Sequence, residues 1–420
     1  MATPRNSKGD RDPASADVLL VRVWCVGLLA LLAATWRLWT PHREPPALPA
    51  LSALTGLPPA LDYACLAACA AALVLALSRP TSRRAVAMAT GCLAALMALD
   101  QLRWQPWAYQ ALLVGAALAW LPSIEARRWL RVLLASVYLY AAIAKLDVVF
   151  INTTGQQVVG ALARLIGIDP AGYSPTVRQA WAAAMPTGEA AVGLLLAWPR
   201  LRRVGVAAAV LLHASIVLAL GPLGLGHSSG VLLWNAASAT LVAVLFWPAH
   251  QTEAAADVAT VAPAGGVFAR IALTAGVVLP LTSPLTASLD LCDRWPAWGL
   301  YAPRGERTEV YVHASVADRL PASLPLEPTK GGEAWRRARL DEWVLHKTGA
   351  PVYPQNRVAV ALALALNERG RLGSYLRVDV DSIAHRLTGQ RQRLRLEGAE
   401  AVEAYAARRY WLSTASRRAR

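Results

Sequence analysis

The sequence predicts an all-α polytopic membrane protein of about nine transmembrane helices, followed by a small C-terminal α+β extramembrane domain. Three observations carry that expectation. The 420 residues are 55% hydrophobic and only 16% charged, too apolar for an ordinary soluble globule. Many of the sixteen tryptophans, among them Trp36, Trp120, Trp198 and Trp247, stand at the ends of apolar runs, where indoles sit at the lipid–water boundary. Beyond residue 284 the long apolar runs give way to short alternating segments and polar-faced helices.

A polar tail, 1–17, precedes the first span at 18–36. No small-x-small cleavage site follows that run, so it reads as an uncleaved helix. Further spans are expected at 59–78, 85–102, 107–121, 130–151, 185–199, 204–221, 230–247 and 266–284. The fourth and sixth are short against a hydrocarbon core about 30 Å thick. The mixed stretch 151–184 holds a short interfacial helix around 156–166. Residues 18–284 thus form the membrane domain and 285–302 an aromatic interfacial hinge. The extramembrane domain, 303–420, has strands expected at 309–313, 375–380 and 391–397, and helices around 333–346, 357–368 and 399–411.

The net charge of +15 does not signal nucleic acid. Of 42 Lys and Arg, 22 lie beyond residue 284 beside 15 Asp and Glu, and no nucleic-acid-binding signature accompanies them. Most of the others lie in short loops. The regions around Arg5, Arg79, Arg127 and Arg200 fall on one side of a nine-span arrangement and hold 12 basic residues, against five in the opposite loops. The positive-inside rule then puts the N-terminus in the cytoplasm of a cell with an inner membrane, and the C-terminal domain outside. Five cysteines without a CxxC indicate neither a disulfide framework nor a metal cluster.

Ionisable side chains inside a bilayer are costly and often functional. Lys145 lies 16 residues beyond Trp129, about 24 Å along a helix, near the far edge of the core. It either snorkels to the headgroups or is a desolvated amine able to act as a general base. Asp147, two residues on, does not share its helix face, whereas Tyr138 and Ala141 do. His213 falls near the midplane of its span, as a packing residue or as a proton relay. Glu189 follows Pro186-Thr187-Gly188 and reads as a first-turn acid with Thr187 as cap, or as a ligand contact. Trp234 and Asn235 offer interhelical hydrogen bonds. The expected site is therefore Lys145 and His213 as catalytic residues, with Tyr138, Glu189, Trp234 and Asn235 binding substrate. No GxSxG, HExxH or phosphate-binding glycine loop is present.

The run Tyr140-Ala141-Ala142-Ile143-Ala144-Lys145-Leu146-Asp147, with Phe150 and Gly155, resembles the A-x-x-K-L-[DN]-x-x-W…G stretch of vitamin K-dependent gamma-carboxylases and their bacterial HTTM-domain relatives. Phe150 stands where that family has tryptophan. Leu211-Leu212-His213-Ala214-Ser215-Ile216, then Gly221, and the run ending Leu245-Phe246-Trp247-Pro248, resemble the family's histidine-bearing helix and next span. Gly188-Glu189 resembles its acidic helix start. The similarity covers about residues 18–300. It implies a nine-helix core, a reduced quinone as cofactor, Lys145 as the base that deprotonates it, and His213 in support. The expected function is quinone-linked oxidoreductase or carboxylase-like chemistry, with the bilayer and a lipid-soluble small molecule as partners. The alternative is a non-catalytic membrane scaffold or carrier whose intramembrane polar residues only pack or pair.

Overall fold

The computed structural model describes residues 13–247, 278–289, 291–329 and 334–417. Up to residue 247 the ordered elements are helical. The long helices are α1 (Pro13–Ala34), α3 (Ala60–Ser78), α4 (Arg83–Leu99), α5 (Pro106–Trp120), α6 (Ser123–Lys145), α9 (Pro175–Ala197), α10 (Arg202–Leu220) and α11 (Ser229–Phe246). Shorter helices α2 (Trp36–Trp39), α7 (Val148–Asn152) and α8 (Thr154–Leu165) lie between them, α8 where an interfacial helix was expected. Five of these helices, α1, α3, α9, α10 and α11, are long and apolar enough to cross a membrane. Of the other expected spans, α4 and α5 have only 17 and 15 residues. Helix α6 has 23, but its first turns carry Glu125, Arg127, Arg128 and Arg131. The expected span 266–284 falls mostly outside the described residues.

Two boundaries differ from expectation in ways that shape the site. The helix expected to begin at 185 begins at Pro175, where the Ser174 hydroxyl accepts from the Val177 amide, and it continues through Pro186. Proline removes the hydrogen bond to the carbonyl four residues back. Packing of α9 against α6, α8 and α10 holds the helix together across that gap. The helix expected to continue to 151 instead ends at Lys145. The Asp147 carboxylate then accepts from the Phe150 amide and starts α7.

Successive long helices alternate in direction. At one end, Arg127 pairs with Asp17, and Arg131 Nε donates to the Leu245 carbonyl at 3.0 Å. At the other end sits the C-terminal domain. Its five-stranded antiparallel sheet has the order β2-β3-β1-β4-β5, from β1 (Arg307–His313), β2 (Leu326–Pro328), β3 (Trp335–Ala338), β4 (Leu376–Asp381) and β5 (Arg393–Glu397). Helices α12 (Leu340–Thr348), α13 (Asn356–Gly370) and α14 (Ala399–Arg409) accompany it. The helix expected over 333–346 is instead β3 followed by α12. Pairing of Trp335–Ala338 with the central strand β1 overrides a helix-forming composition. The apolar run 358–366 is the core face of α13, with Val358, Val360 and Leu362 fully buried. The domain is bolted to the helical body: the Gln101 side chain donates to the Ser413 carbonyl at 2.8 Å and accepts from Arg357 at 2.7 Å.

Candidate functional site

The site begins with a close approach of two helices. A Cβ at Gly193 of α9 would lie 2.9 Å from the Leu139 side chain and 3.0 Å from the Ala135 carbonyl of α6. Only a residue without a side chain lets the backbones come so near. Four residues before Gly193, on the same face, is Glu189. Its carboxylate receives Lys145 Nζ in a forked contact, at 2.8 Å to Oε1 and 2.7 Å to Oε2, and the ammonium also reaches the Ala141 carbonyl at 3.3 Å. Lys145 is 2% exposed and Glu189 4%.

These positions correct two expectations. Lys145 does not snorkel, because its amine is turned inward onto Glu189. Glu189 is not a first-turn acid: α9 starts 14 residues earlier, and Thr187 donates to the Ala183 carbonyl at 2.8 Å instead of capping a helix.

A second polar chain crosses three helices beside the pair. Tyr138 Oη lies 2.7 Å from His213 Nε2, and His213 Nδ1 lies 2.8 Å from Asn235 Oδ1. Asn235 Nδ2 is committed to the Val231 carbonyl at 2.9 Å. The amide oxygen is therefore the acceptor facing the ring, which assigns the proton to Nδ1 and leaves Nε2 to accept from the tyrosine hydroxyl. A third group joins Trp234 to Gln110, which was not foreseen. Gln110 Oε1 accepts from Trp234 Nε1 at 2.5 Å and from the Ser238 hydroxyl at 3.3 Å. A lone amide inside the short apolar run of α5 was the available signal for it.

All three groups border one cavity of about 80 Å³, whose remaining wall is apolar and includes Leu134, Val158, Met185 and Ile216. The structure thus brings Lys145, Glu189, Tyr138, His213, Trp234 and Asn235 together around a single space. An outer vestibule of about 420 Å³ lies between the loop before α11, the hinge and Leu345, Ala350 and Pro351 of the C-terminal domain. Trp234, Leu300 and Tyr301 border both spaces. Trp298 and Tyr301 adopt φ of +59° and +54°, a left-handed conformation that bulky side chains rarely take, as at strained functional sites. The Tyr301 hydroxyl faces His227 Nδ1 at 3.4 Å. Burial raises the tyrosine pKa and lowers that of the histidine, so at neutral pH both stay uncharged.

Chemically, the arrangement offers a buried acid–base pair, a hydroxyl–imidazole–amide chain and an apolar wall in one space. Among the described residues, no three His, Cys, Asp or Glu side chains converge as a metal ion would need. No protein-family model, curated protein or solved structure matches the chain.

Proposed function

We propose that this chain is a membrane-embedded enzyme whose Lys145–Glu189 pair takes a proton from a hydroxyl of a lipid-soluble ring. The resemblance of its lysine and histidine segments to the HTTM and gamma-carboxylase-like class suggests a reduced quinone as that ring. The observation that carries the reading is the opening of a buried amine–carboxylate pair onto an apolar-walled cavity, shared with the Tyr138–His213–Asn235 chain.

A lysine can accept a proton only after losing one. Glu189 is placed to take it, since both its oxygens lie within hydrogen-bond reach of Nζ. The pair can then exist as ammonium and carboxylate or as amine and carboxylic acid, with the same total charge. In the second form the nitrogen lone pair faces the cavity and accepts a hydroxyl proton. Tyr138 and His213 orient the ring oxygen, while Trp234 and Gln110 shape the far wall. A quinolate formed there is the species from which quinone-linked oxidation or carboxylase-like chemistry starts. The charge asymmetry of the loops supports a cytoplasmic N-terminus and an external C-terminal domain in an inner membrane. The loops at 79–82, 121–122 and 198–201 at the opposite end from that domain are a second support for this reading.

The test is Lys145→Arg in purified, monodisperse protein supplied with a short-chain menaquinol in air-saturated buffer, where dissolved oxygen is the two-electron acceptor, following quinol oxidation by absorbance. Arginine keeps the cation for Glu189 but cannot act as base. Turnover should fall by about 10²-fold or more with the melting temperature nearly kept. Unchanged turnover removes the base role.

The second reading, a scaffold, is favoured by the forked contact itself, because that is how a buried lysine is satisfied without chemistry. Exchanging the partners, Lys145→Glu with Glu189→Lys, separates the two. A scaffold keeps its stability and every assayable property, whereas the enzyme keeps stability and loses turnover.

A further inference from the structure

The last two turns of α6 have two working faces. Tyr138, Ala141 and Lys145 face the cavity described above. Tyr140, Ile143 and Ala144 face away from it, into a separate pocket of about 200 Å³. The pocket's second apolar wall is Pro284, Leu285 and Ala287. Its remaining side is charged, with Arg294, Arg304 and Arg386 set against Glu306. Those four side chains leave an excess of two positive charges. Asp147, whose carboxylate feels both Arg304 and Arg386, reduces the excess to one.

The arginines are not equally engaged. Arg294 bonds the Glu306 carbonyl. Arg386 NH1 bonds the Ile143 and Leu146 carbonyls at 2.8 and 2.9 Å, anchoring its loop on the end of α6, while its other nitrogens make no hydrogen bond to the described residues. Among the described residues the Arg304 guanidinium makes one hydrogen bond, from Nη1 to the Ala384 carbonyl at 3.3 Å. Burial and the neighbouring Arg386 charge lower the Arg304 pKa, against the opposing effect of the Asp147 carboxylate. The surroundings are lipid-like: Ile143 is 51% exposed, Leu285 64% and Leu387, beside Arg386, 77%. Apolar walls beside such a surface, closed by the Arg304 and Arg386 guanidiniums with donors unused among the described residues, match an amphiphile held at headgroup depth.

We propose that this pocket binds the phosphate headgroup of an anionic membrane lipid, with Arg304 and Arg386 on the phosphate and the acyl chains along Ile143 and Leu285. The site is separate from the Lys145 cavity and does not depend on any catalytic reading of it. A bound lipid there would join the end of α6, the hinge and the loop at 383–390, seating the C-terminal domain on the membrane surface.

The test uses the full chain in neutral detergent, titrated with short-chain phosphatidylglycerol or phosphatidylcholine and read by native mass spectrometry. Parent protein should bind the glycerol lipid about tenfold more tightly than the choline lipid, the size expected for a charge-assisted arginine–phosphate contact. Arg304→Gln should abolish that preference. Ala302→Glu, which leaves every arginine in place and adds a competing carboxylate to the pocket, should do the same and guards against misfolding of the first variant. Equal preference in parent and both variants overturns the site. Displacement of phosphatidylglycerol by inorganic phosphate at matching concentration also overturns it, since the pocket would then recognise a free anion and not a lipid.

Discussion

Among the buried charges of the described residues, two clusters are built to opposite ends. At the end covered by the C-terminal domain, Asp62 is fully buried between Arg103 NH1 at 2.6 Å and Arg417 NH1 at 2.5 Å. Each guanidinium is also tied to backbone: Arg103 to the Leu38 and Leu96 carbonyls, Arg417 to those of Leu57 and Pro58. None of the three borders the pockets described above. Lys145 and Glu189 are equally buried, yet beyond each other they hold one backbone carbonyl and face a cavity. A cluster tied to four backbone carbonyls and away from any of those pockets holds elements together. An open one keeps lone pairs and protons available, which is why the second is the candidate site and the first is a clamp.

Breaking the clamp should have the largest effect. Asp62→Ala strands two guanidiniums in a dry site, and loss of one member of a buried pair costs about 3–5 kcal/mol. The tail carrying Arg417 should come away, which limited proteolysis would show as early cleavage after 410 together with a large drop in melting temperature. A variant as stable as the parent would mean that water already reaches the triad.

The open pair should behave differently according to how many members are removed. Lys145→Met alone leaves a buried carboxylate and should cost up to about 3 kcal/mol, less if cavity water solvates Glu189. Lys145→Met with Glu189→Met should recover most of that loss, since paired buried charges are replaceable by apolar groups of similar volume. Both should be inactive. Thermal unfolding of the two variants reads the difference, and a double variant less stable than the single one would make the pair a stabilising clamp after all.

The sequence also treats the two clusters unequally. Lys145 and His213 are legible because each stands alone in an apolar run, where any ionisable group must be explained. Tyr138 follows from helical spacing. Glu189 is visible as a residue but not in its role: Pro186 reads as a helix boundary, and only the packing of α9 against α6 and α8 shows the helix running through it. With Glu189 moved to a helix start, Lys145 has no partner, and its removal looks like relief of a desolvation cost instead of exposure of a buried carboxylate. The clamp is invisible for a different reason. No local pattern singles out Arg103, Asp62 or Arg417, and Arg417 lies 355 positions from Asp62. Local pattern cannot join residues so far apart. The same limit hides β2 and β3, whose three and four residues are strands only because β1 and its neighbours pair with them.

A third kind of ion pair, on the sheet, supplies the smallest expected effect and a control for the other two. Asp381 and Arg393 are opposite each other across β4 and β5, in a two-point contact at 2.7 and 2.8 Å. The Arg393 guanidinium holds the Asp381 carboxyl below its usual range, against the opposing effect of partial burial. A carboxyl whose folded pKa is depressed stabilises the fold above the unfolded value of about 3.9, and the contribution fades as pH falls through the folded value. Arg393 is half exposed, 49% for its side chain, so solvent screening limits the gain to about 1 kcal/mol or less. Asp381→Asn should therefore melt slightly below the parent at pH 7, with the two curves converging as the pH is taken below about 4. Salt should shrink the gap at pH 7 as well, because the Arg393 end of the pair is open to solvent. The Asp62 and Lys145 variants should show almost no such salt response, since their charges are out of reach of mobile ions. A gap for Asp381→Asn that persists unchanged at low pH and high salt would assign the contact to hydrogen-bond geometry instead of charge. It would then remove the distinction between exposed and buried pairs on which the comparison of the two clusters depends.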